Sequence, residues 1–287
     1  MTVSISTYFH EDTFTATHLV VDKDSGEAVI IDPVMDFDQK SGHTSFAFID
    51  EVLAAAQGFK LTYVLETHAH ADHLSAGDYI RQNTGAKVVI GKPITQVQST
   101  FANIFNEGPE FKSDGHQFDV LVSEGDELKL GEHVIRVLAT PGHTPACVSY
   151  VLNDSDVFVG DTLFMPDVGS ARCDFPGGDA ATLYQSVQKL LALGDGVMMH
   201  LCHDYPPEGR DIQTSISVAQ QKADNIHLGE HISETEFIAM RSARDEQLEV
   251  PRLILPSLQV NIRAGALPAA EDNGVSYLKM PLNLLGK

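Results

Sequence analysis

Three histidines and one aspartate fall within the seven residues from Thr67 to His73, which read Thr-His-Ala-His-Ala-Asp-His. Imidazole nitrogens and carboxylate oxygens are common ligands of first-row metal ions such as zinc and iron. A histidine-rich polar turn without a ligand is the alternative interpretation. One buried histidine is ordinary but three at this spacing are not, so the stretch predicts part of a metal site.

Further donors follow apolar runs that we interpret as strands. The runs 61–65, 133–139, 157–159 and 197–201 are followed within a few residues, in that order, by His68, His143, Asp161 and His203. In open α/β sheets, sites form beyond the strand ends, so donors on strands that share a direction converge at one edge. Core histidines are not expected to recur at that position. The joint pattern therefore predicts one metal centre built from several strand ends.

The rest of the chain reads as strands and helices in a single domain over residues 1–287. Two or three strands are predicted within 6–31, with others at 87–91, 127–130 and 149–152. Helices are predicted at 45–57, 72–83, 179–193, 212–227 and 234–248, and Ser233 with Glu236 forms a capping box for the last. Residues 35–43 are predicted to be a loop, 95–118 a helix and a loop, and 251–287 strand-like or irregular. We expect a core of about 1–210 and a helical C-terminal extension of about 211–287.

The composition is that of a soluble globular protein, with 43% apolar and 21% charged residues among 287. There are 19 Lys and Arg against 40 Asp and Glu, so the net charge is −21. Because such a surface repels phosphate backbones, nucleic acid is not expected as a partner, and an anionic small ligand needs a locally basic pocket. The arginines considered for that pocket are Arg172, Arg210, Arg252 and Arg263.

Neither a membrane span nor an export signal is predicted. No apolar run approaches the roughly 18 residues of a span, and Met1 to His10 lack a basic start followed by an apolar core. The three cysteines, Cys147, Cys173 and Cys202, form no CxxC pair and are odd in number. This usage argues against a disulfide framework and favours a reducing cytoplasm. We interpret the thiols as packing residues, although each lies near a candidate site segment.

The motifs are similar to those of a known family. Residues 67–73, followed by Pro141-Gly142-His143, Gly160-Asp161 and His203, resemble the metallo-β-lactamase superfamily along most of the chain. The resemblance implies an α/β fold of the αββα type, in which two mixed sheets lie back to back with helices outside and the site lies at one edge. Within the superfamily the chain looks most similar to the bacterial persulfide dioxygenases, also called sulfur dioxygenases. The similar segments are 31–34, 142–147, 160–164, 171–175, 202–205 and 261–263.

Carried over by position, this resemblance implies that His68, His143 and Asp161 bind one Fe(II) per chain and are the catalytic residues. Two imidazoles and one carboxylate on one face of an iron leave positions open for a substrate and O2. The implied reaction oxidises glutathione persulfide with O2 and releases sulfite and glutathione. Both oxygen atoms of O2 are transferred to the terminal sulfur.

The resemblance also indicates where the glutathione part would bind. Arg172 is expected beside the pocket, where a bidentate contact with a glutathione carboxylate is favourable. Tyr205 is expected to help hold the tripeptide, and Arg263 is a weaker third candidate. A homodimer is what the family implies.

The ligand count alone leaves a second interpretation open. His70, Asp72, His73 and His203 complete the ligand set of a two-metal hydrolase, with Asp161 as the bridge between two Zn or Fe ions. A glyoxalase II-like glutathione thioester hydrolase is therefore the alternative. A basic pocket does not separate the two activities, because both use glutathione. In the dioxygenase interpretation the same four residues orient ligands and hydrogen-bond water. A catalytically silent metal-binding protein is disfavoured, because the donors for one iron are all intact.

Overall fold

Strands and helices alternate through the part of the chain that the computed structural model describes, residues 3–229 and 232–284. The strands are β1 (Val3–His10), β2 (Thr15–Asp22), β3 (Glu27–Ile31), β4 (Val34–Asp38), β5 (His43–Ser45), β6 (Lys60–Leu65), β7 (Leu74–Ser75), β8 (Lys87–Gly91), β9 (Val120–Val122), β10 (Glu127–Leu130), β11 (His133–Ala139), β12 (Val148–Leu152), β13 (Asp156–Phe158), β14 (Met198–His200) and β15 (Ser215–Ser217). The helices are α1 (Ala47–Ala55), α2 (Gly77–Thr84), α3 (Ile94–Ile104), α4 (Ala180–Leu191), α5 (Val218–Asp224), α6 (Glu234–Asp245) and α7 (Ile254–Asn261).

The strands form two six-stranded sheets and a small third sheet. The first sheet has the order β1-β2-β3-β6-β8-β9, the second runs from β10 to β15 in sequence, and the third is β5-β4-β7. In the first sheet β3, β6, β8 and β9 are parallel. In the second, β12 is antiparallel to both β11 and β13, and β13 is parallel to β14. Strands β11, β13 and β14 therefore share a direction, so their carboxyl ends lie at one edge.

Alternating side chains build three hydrophobic layers. In β3, Val29 and Ile31 face a core shared with residues of the second sheet such as Tyr150, whereas Ile30 faces the helices. This period of two places the sheets face to face. Helices α1, α2, α3 and α7 cover the outer face of the first sheet, and α4, α5 and α6 cover the second. The αββα fold predicted from the sequence is confirmed.

Helix ends follow local sequence signals where these are strong. Asp179 caps α4 by accepting a hydrogen bond from the Thr182 backbone N–H at 2.7 Å. Ser233 and Glu236 form both hydrogen bonds of the predicted capping box at the start of α6. The sequence therefore located both helix starts to within one residue.

Four predictions of secondary structure were wrong in part. Residues 35–43 are not a loop, because β4 and β5 pair there, and helix α2 starts only at Gly77, because Leu74–Ser75 forms β7. Strand β15 occupies part of the helix predicted at 212–227. Helix α7 lies in the region predicted to be strand-like or irregular. Each missed element is short, and β4, β7 and α7 also contact segments distant in sequence, which a local pattern does not report.

The predicted C-terminal extension is divided between the two outer layers. Helices α5 and α6 pack on the second sheet, whereas Leu258, Val260 and Ile262 of the α7 region are completely buried against the first. The division at about residue 210 stays a prediction. Within the described residues, no helix combines the length and the apolar character that crossing a membrane requires.

Candidate metal centre

His68, His143 and Asp161 meet at the edge where strands of both sheets end. His68 follows β6, His143 follows β11, and Asp161 lies in a 3-10 turn, Gly160–Thr162, just after β13. One donor atom from each lies within 4.8 Å of the other two. The Asp161 Oδ2 atom is 3.7 Å from Nε2 of His68 and 3.7 Å from Nε2 of His143. These separations are too long for hydrogen bonds and suit donors spaced around one ion.

Hydrogen bonds on the far side of each ring set which nitrogen can bind a metal. The Thr67 hydroxyl donates to Asp32 at 2.9 Å, so it accepts a hydrogen bond from Nδ1 of His68 at 3.1 Å. Nδ1 of His143 donates to the Arg172 carbonyl oxygen at 2.7 Å. Both Nε2 atoms are thereby left as lone-pair donors, and that of His68 is buried with no hydrogen-bond partner among the described residues. An orphaned buried nitrogen is costly without a ligand, so the donor set fits a metal ion.

A second donor set adjoins the first. It consists of His70, Asp72, His73 and His203, whose donor atoms also lie within 4.8 Å of one another. The buried atoms His70 Nδ1, His73 Nε2 and His203 Nε2 lack hydrogen-bond partners within the described ranges. Asp161 faces both sets, since its Oδ1 is 3.4 Å from Nε2 of His203. The arrangement therefore has the donors for one ion and for a second ion beside it.

Asp32 links the two donor sets, and sequence reasoning did not assign it a role. Its carboxylate accepts hydrogen bonds from the Thr67 backbone N–H at 2.8 Å and from Nε2 of His70 at 3.0 Å, besides the Thr67 hydroxyl. Asp32 therefore fixes His70 directly and His68 through Thr67. Burial raises the pKa of Asp32. Burial also raises the pKa of the neighbouring Glu66, and the negative charge of Asp32 raises it further. The signal for Asp32 was present, because it directly follows the apolar run of β3.

Asn261 in α7 forms hydrogen bonds with the backbone of the loop that carries His70 and His73. Its side-chain N–H groups donate to the carbonyl oxygens of His70 at 2.9 Å and of His73 at 2.8 Å. Its carbonyl oxygen accepts from the Ser75 backbone N–H at 2.8 Å. Asn261 is buried, so these contacts are shielded from water. The C-terminal part of the chain thus helps to position the centre, a role the sequence did not reveal.

Gly160 and Gly142 permit close packing around the donors. Gly160 has a φ of 54°, and a Cβ atom there would lie 2.6 Å from the Thr67 hydroxyl oxygen. Gly142 has a φ of 134°, and a Cβ atom would lie 2.4 Å from the backbone of Leu183. Any side chain at Gly160 would therefore displace the hydroxyl that orients His68.

Two adjoining cavities reach the centre. One, of about 450 Å³, is lined by His143, Asp161, Asp72 and Tyr205, and by apolar side chains such as Leu248. The other, of about 600 Å³, shares His143 with the first and extends along the loop between α6 and α7. His68 is buried and lines neither cavity. Cavities of this size accept a ligand as large as a tripeptide.

The three predicted substrate contacts are placed differently. Arg172 lines both cavities, but its guanidinium donates to Asp174, at 2.7 Å to Oδ2, and to the Glu249 carbonyl oxygen at 2.6 Å. Tyr205 lines the smaller cavity and stacks on His203, with ring centroids 5.7 Å apart. Arg263 lines neither cavity. It pairs with Glu107 at 2.8 Å, so the structure does not bring it to the centre.

The cysteines behave as buried packing residues. Cys147, Cys173 and Cys202 are all free and buried. Burial raises the pKa of Cys147 and of Cys173 to about 12, and it raises the pKa of Cys202 as well. A thiol that stays protonated is a poor nucleophile, which fits our interpretation of the three cysteines as packing residues.

One buried histidine outside the donor sets predicts a pH effect on stability. Burial lowers the pKa of His18 from 6.5 to about 4. The unfolded chain therefore binds a proton between about pH 6.5 and 4 that the folded chain rejects, so the free energy of unfolding should fall as the pH falls through this window. We expect the loss attributable to His18 to reach about 3 kcal/mol.

The measurement is urea unfolding of wild type and His18→Gln at pH 7 and pH 5. Glutamine can still accept from the Thr7 hydroxyl and donate to the Leu201 carbonyl oxygen, as His18 does, but it does not titrate. Gln57→Asn exchanges two side chains that do not titrate at an exposed position, so this matched control should keep the wild-type pH dependence. An unchanged pH dependence in His18→Gln would contradict the assignment.

Comparison with known proteins assigns the chain to one superfamily. The Metallo-beta-lactamase superfamily model matches residues 11–203, and the chain belongs to this superfamily. It is 49% identical over 294 residues to a probable metallo-hydrolase of Burkholderia pseudomallei, covering 99% of this chain and 100% of that protein. It is 46% identical to Glyoxylase B2 of Dictyostelium discoideum, covering 94% of each chain.

Similarity extends to proteins named for oxygen chemistry. The mitochondrial persulfide dioxygenase ETHE1 of Mus musculus is 33% identical, with 90% of this chain and 87% of that protein covered. The crystal structure of ETHE1 from Myxococcus xanthus superposes with a TM-score of 0.71 at 32% identity, covering 92% of this chain and 100% of that one. These relatives confirm the superfamily and the fold, and they carry both hydrolase and dioxygenase names.

Proposed function

We propose that the protein is a non-haem Fe(II) persulfide dioxygenase that oxidises glutathione persulfide to sulfite and glutathione. The observation that carries this proposal is the face formed by His68, His143 and Asp161, with His143 and Asp161 lining the cavity. Two imidazoles and one carboxylate on one face are typical of enzymes that bind a substrate and O2 at the remaining positions of an iron.

The 33% identity to the mouse persulfide dioxygenase over 90% of the chain supports the same activity. In the balanced reaction, glutathione persulfide, O2 and one water give glutathione and sulfurous acid, which ionises to sulfite. The S–S bond breaks, the terminal sulfur is oxidised, and O2 is reduced. Fe(II), when bound, would supply the electron transfer that lets O2 react with sulfur.

The chain's own residues hold and shield the reactants. Thr67 and the Arg172 carbonyl oxygen fix the rings of His68 and His143, so their Nε2 lone pairs stay directed at the metal position. Phe164 and Leu248 line the smaller cavity and exclude water from a bound sulfur. Preorganisation of the donors and exclusion of water are thus the two contributions that we assign to the protein.

We propose that Tyr205 and Arg172 form the wall against which the glutathione part binds. Arg172 keeps Asp174 as its partner, so it acts by shaping the cavity and holding His143 through its carbonyl oxygen. Arg263 is not carried forward, because its guanidinium is engaged with Glu107 away from both cavities. The cytoplasmic location and the homodimer stay predictions.

A two-metal thioester hydrolase is the second candidate, favoured by a separate observation. The ring nitrogens of His70, His73 and His203 are oriented as a second set of lone-pair donors, and Asp161 faces both sets. The names of the 49% and 46% identical relatives support hydrolysis. In that enzyme, Asp161 would bridge two ions that share a nucleophilic hydroxide.

Anaerobic purification with metal analysis, followed by O2 uptake on glutathione persulfide, separates the two candidates. We expect about one iron per chain and O2 consumption that depends on persulfide, with sulfite as the product. S-lactoylglutathione should be left uncleaved by the same preparation. Two metal ions per chain together with thioester cleavage and no O2 consumption would refute the dioxygenase.

A further inference from the structure

Two arginines at the centre differ from the other arginines of the chain because they have no acidic partner in the described part of the chain. Six arginines pair with a carboxylate, namely Arg81 with Asp78, Arg136 with Asp154, Arg172 with Asp174, Arg210 with Asp204, Arg241 with Asp245 and Arg263 with Glu107. Arg244 and Arg252 form no ion pair within residues 3–229 and 232–284. Both are exposed, and both line the cavity that reaches Asp161 and His143.

Helix α6 carries both Arg244, which lines the cavity, and Arg241, which anchors the helix. Arg241 is buried and donates to Asp245 at 2.6 Å and to the Ser170 carbonyl oxygen at 3.1 Å. Asp245 in turn accepts from the Cys173 backbone N–H at 2.8 Å. These bonds fix α6 against the segment that shapes the cavity. Arg244, three residues after Arg241, keeps a guanidinium that no described carboxylate neutralises.

Arg252 lies near the end of the loop that joins α6 to α7. Among the residues that the structure describes, its guanidinium makes one hydrogen bond, to the Asp12 backbone carbonyl oxygen at 3.3 Å. A carbonyl leaves the positive charge uncompensated, and most of the five N–H groups stay available. Arg252 thus brings a second unpaired cation to the same cavity from a different segment of the chain.

Two unpaired cations at one cavity are unexpected in a chain with a net charge of −21. In such a protein a guanidinium has many carboxylates to pair with, as the other six arginines show. Three acidic residues, Asp12, Asp72 and Asp161, line the cavity. Asp72 and Asp161 belong to the two donor sets and would be neutralised by a bound ion, which leaves the charge of Asp12 against those of two arginines. The remaining net charge of the cavity is positive. It attracts an anion, although the acidic surface of the protein repels one.

We propose that Arg244 and Arg252 bind the carboxylates of the thiol substrate, one on each side of the cavity. Guanidinium groups pair bidentately with carboxylates, and glutathione has two carboxylates at opposite ends of the tripeptide. The sulfur between them then reaches the metal position beside His143. The identity of the thiol rests on the proposed function, whereas the anion-binding role of the arginines does not.

Calorimetric titration of the iron-loaded enzyme with glutathione, under anaerobic conditions, tests the proposal. Arg244→Gln and Arg252→Gln should each raise the Kd for glutathione about tenfold, the scale of one charge-assisted hydrogen bond. The double variant should lose about a hundredfold, because the two arginines contact different carboxylates. Arg244→Lys should recover part of the affinity, since it retains the charge but not the bidentate geometry.

Arg136→Gln is the matched control, because it changes the net charge equally but its guanidinium pairs with Asp154 and lines neither cavity. N-acetylcysteamine, a thiol without a carboxylate, should bind all variants as it binds wild type. Wild-type affinity for glutathione in both arginine variants, or equal losses for the two thiols, would overturn the proposal. So would a failure of the wild type to bind glutathione.

The outcomes separate this inference from the proposed function. Arginine-dependent glutathione binding without O2 consumption on glutathione persulfide would retain the anion site and reject the dioxygenase. Persulfide-dependent O2 consumption with unchanged glutathione binding in both variants would do the reverse. Binding is measured without turnover, so neither result depends on the other.

Discussion

Replacing His68 should abolish iron binding, whereas replacing His73 should leave the iron in place. His68 is one of three donors in the proposed iron face, and its Nε2 is a buried atom without a hydrogen-bond partner in the described ranges. We expect His68→Gln to retain less than about a tenth of the wild-type iron. Persulfide-dependent O2 consumption should fall about 10³-fold, since several kcal/mol of stabilisation by the metal are lost at roughly 1.4 kcal/mol per factor of ten.

The metal content of His73→Gln, compared with that of His68→Gln, distinguishes one bound ion from two. In a one-iron dioxygenase, His73 orients neighbouring groups, and its loss should cost about 10- to 100-fold in activity while iron stays near one per chain. In a two-metal hydrolase, the same change removes a ligand of the second ion and should halve the metal content. Metal analysis on anaerobically purified variants, with circular dichroism to verify the fold, distinguishes these results. Equal iron loss in both variants would contradict the one-iron assignment.

Replacing Asn261 by alanine is expected to produce the largest loss of stability among single polar substitutions at the centre. The change leaves the carbonyl oxygens of His70 and His73 and the N–H of Ser75 without their buried partner. Each unsatisfied buried group costs about 1–3 kcal/mol, and entry of water recovers part of this, so we expect the free energy of unfolding to fall by about 3 kcal/mol. Iron affinity should fall about 10- to 100-fold, because the loop that carries the donors loosens.

Guanidinium unfolding of the metal-free protein and competition with a chelator measure the two effects separately. Asn83→Ala is the control, because Asn83 makes one exposed hydrogen bond to a helix carbonyl oxygen, and its loss should change stability by less than about 0.5 kcal/mol. Asn261→Asp keeps the acceptor for Ser75 but loses both donors, so it should be destabilised without restoring iron affinity. Wild-type stability in Asn261→Ala would show that the loop is held by other contacts.

Local patterns predicted the long elements well. Strand β11 spans His133–Ala139 as predicted. Alternating apolar residues are typical of a strand with one buried face. His68, His143, Asp161 and His203 were proposed as donors because each follows a strand, and the structure brings their side chains together. The change from apolar to polar residues at a strand end is a local pattern, so it can be recognised in a single sequence.

Short elements with distant partners were not predicted. Strand β4 pairs with β5 and β7 and was read as a loop, since five residues carry little periodic signal. Helix α7 contains Pro256 and two β-branched residues, Ile254 and Val260, which disfavour a helix by propensity. Its burial against the first sheet overrides that propensity.

The motifs of the sequence by themselves indicated the superfamily, whose resemblance implied the αββα fold, and residue types and spacing predicted metal donors in the Thr67–His73 stretch. The tertiary structure alone decided how those donors are oriented and what surrounds them. Asp32 fixes His70, Asn261 holds the loop, and Arg172 is committed to Asp174. These facts concern pairings between residues far apart in the chain, and spacing in sequence does not encode which distant partner a polar side chain satisfies. For the same reason, only the folded chain distinguishes the two unpaired arginines from the six that are neutralised.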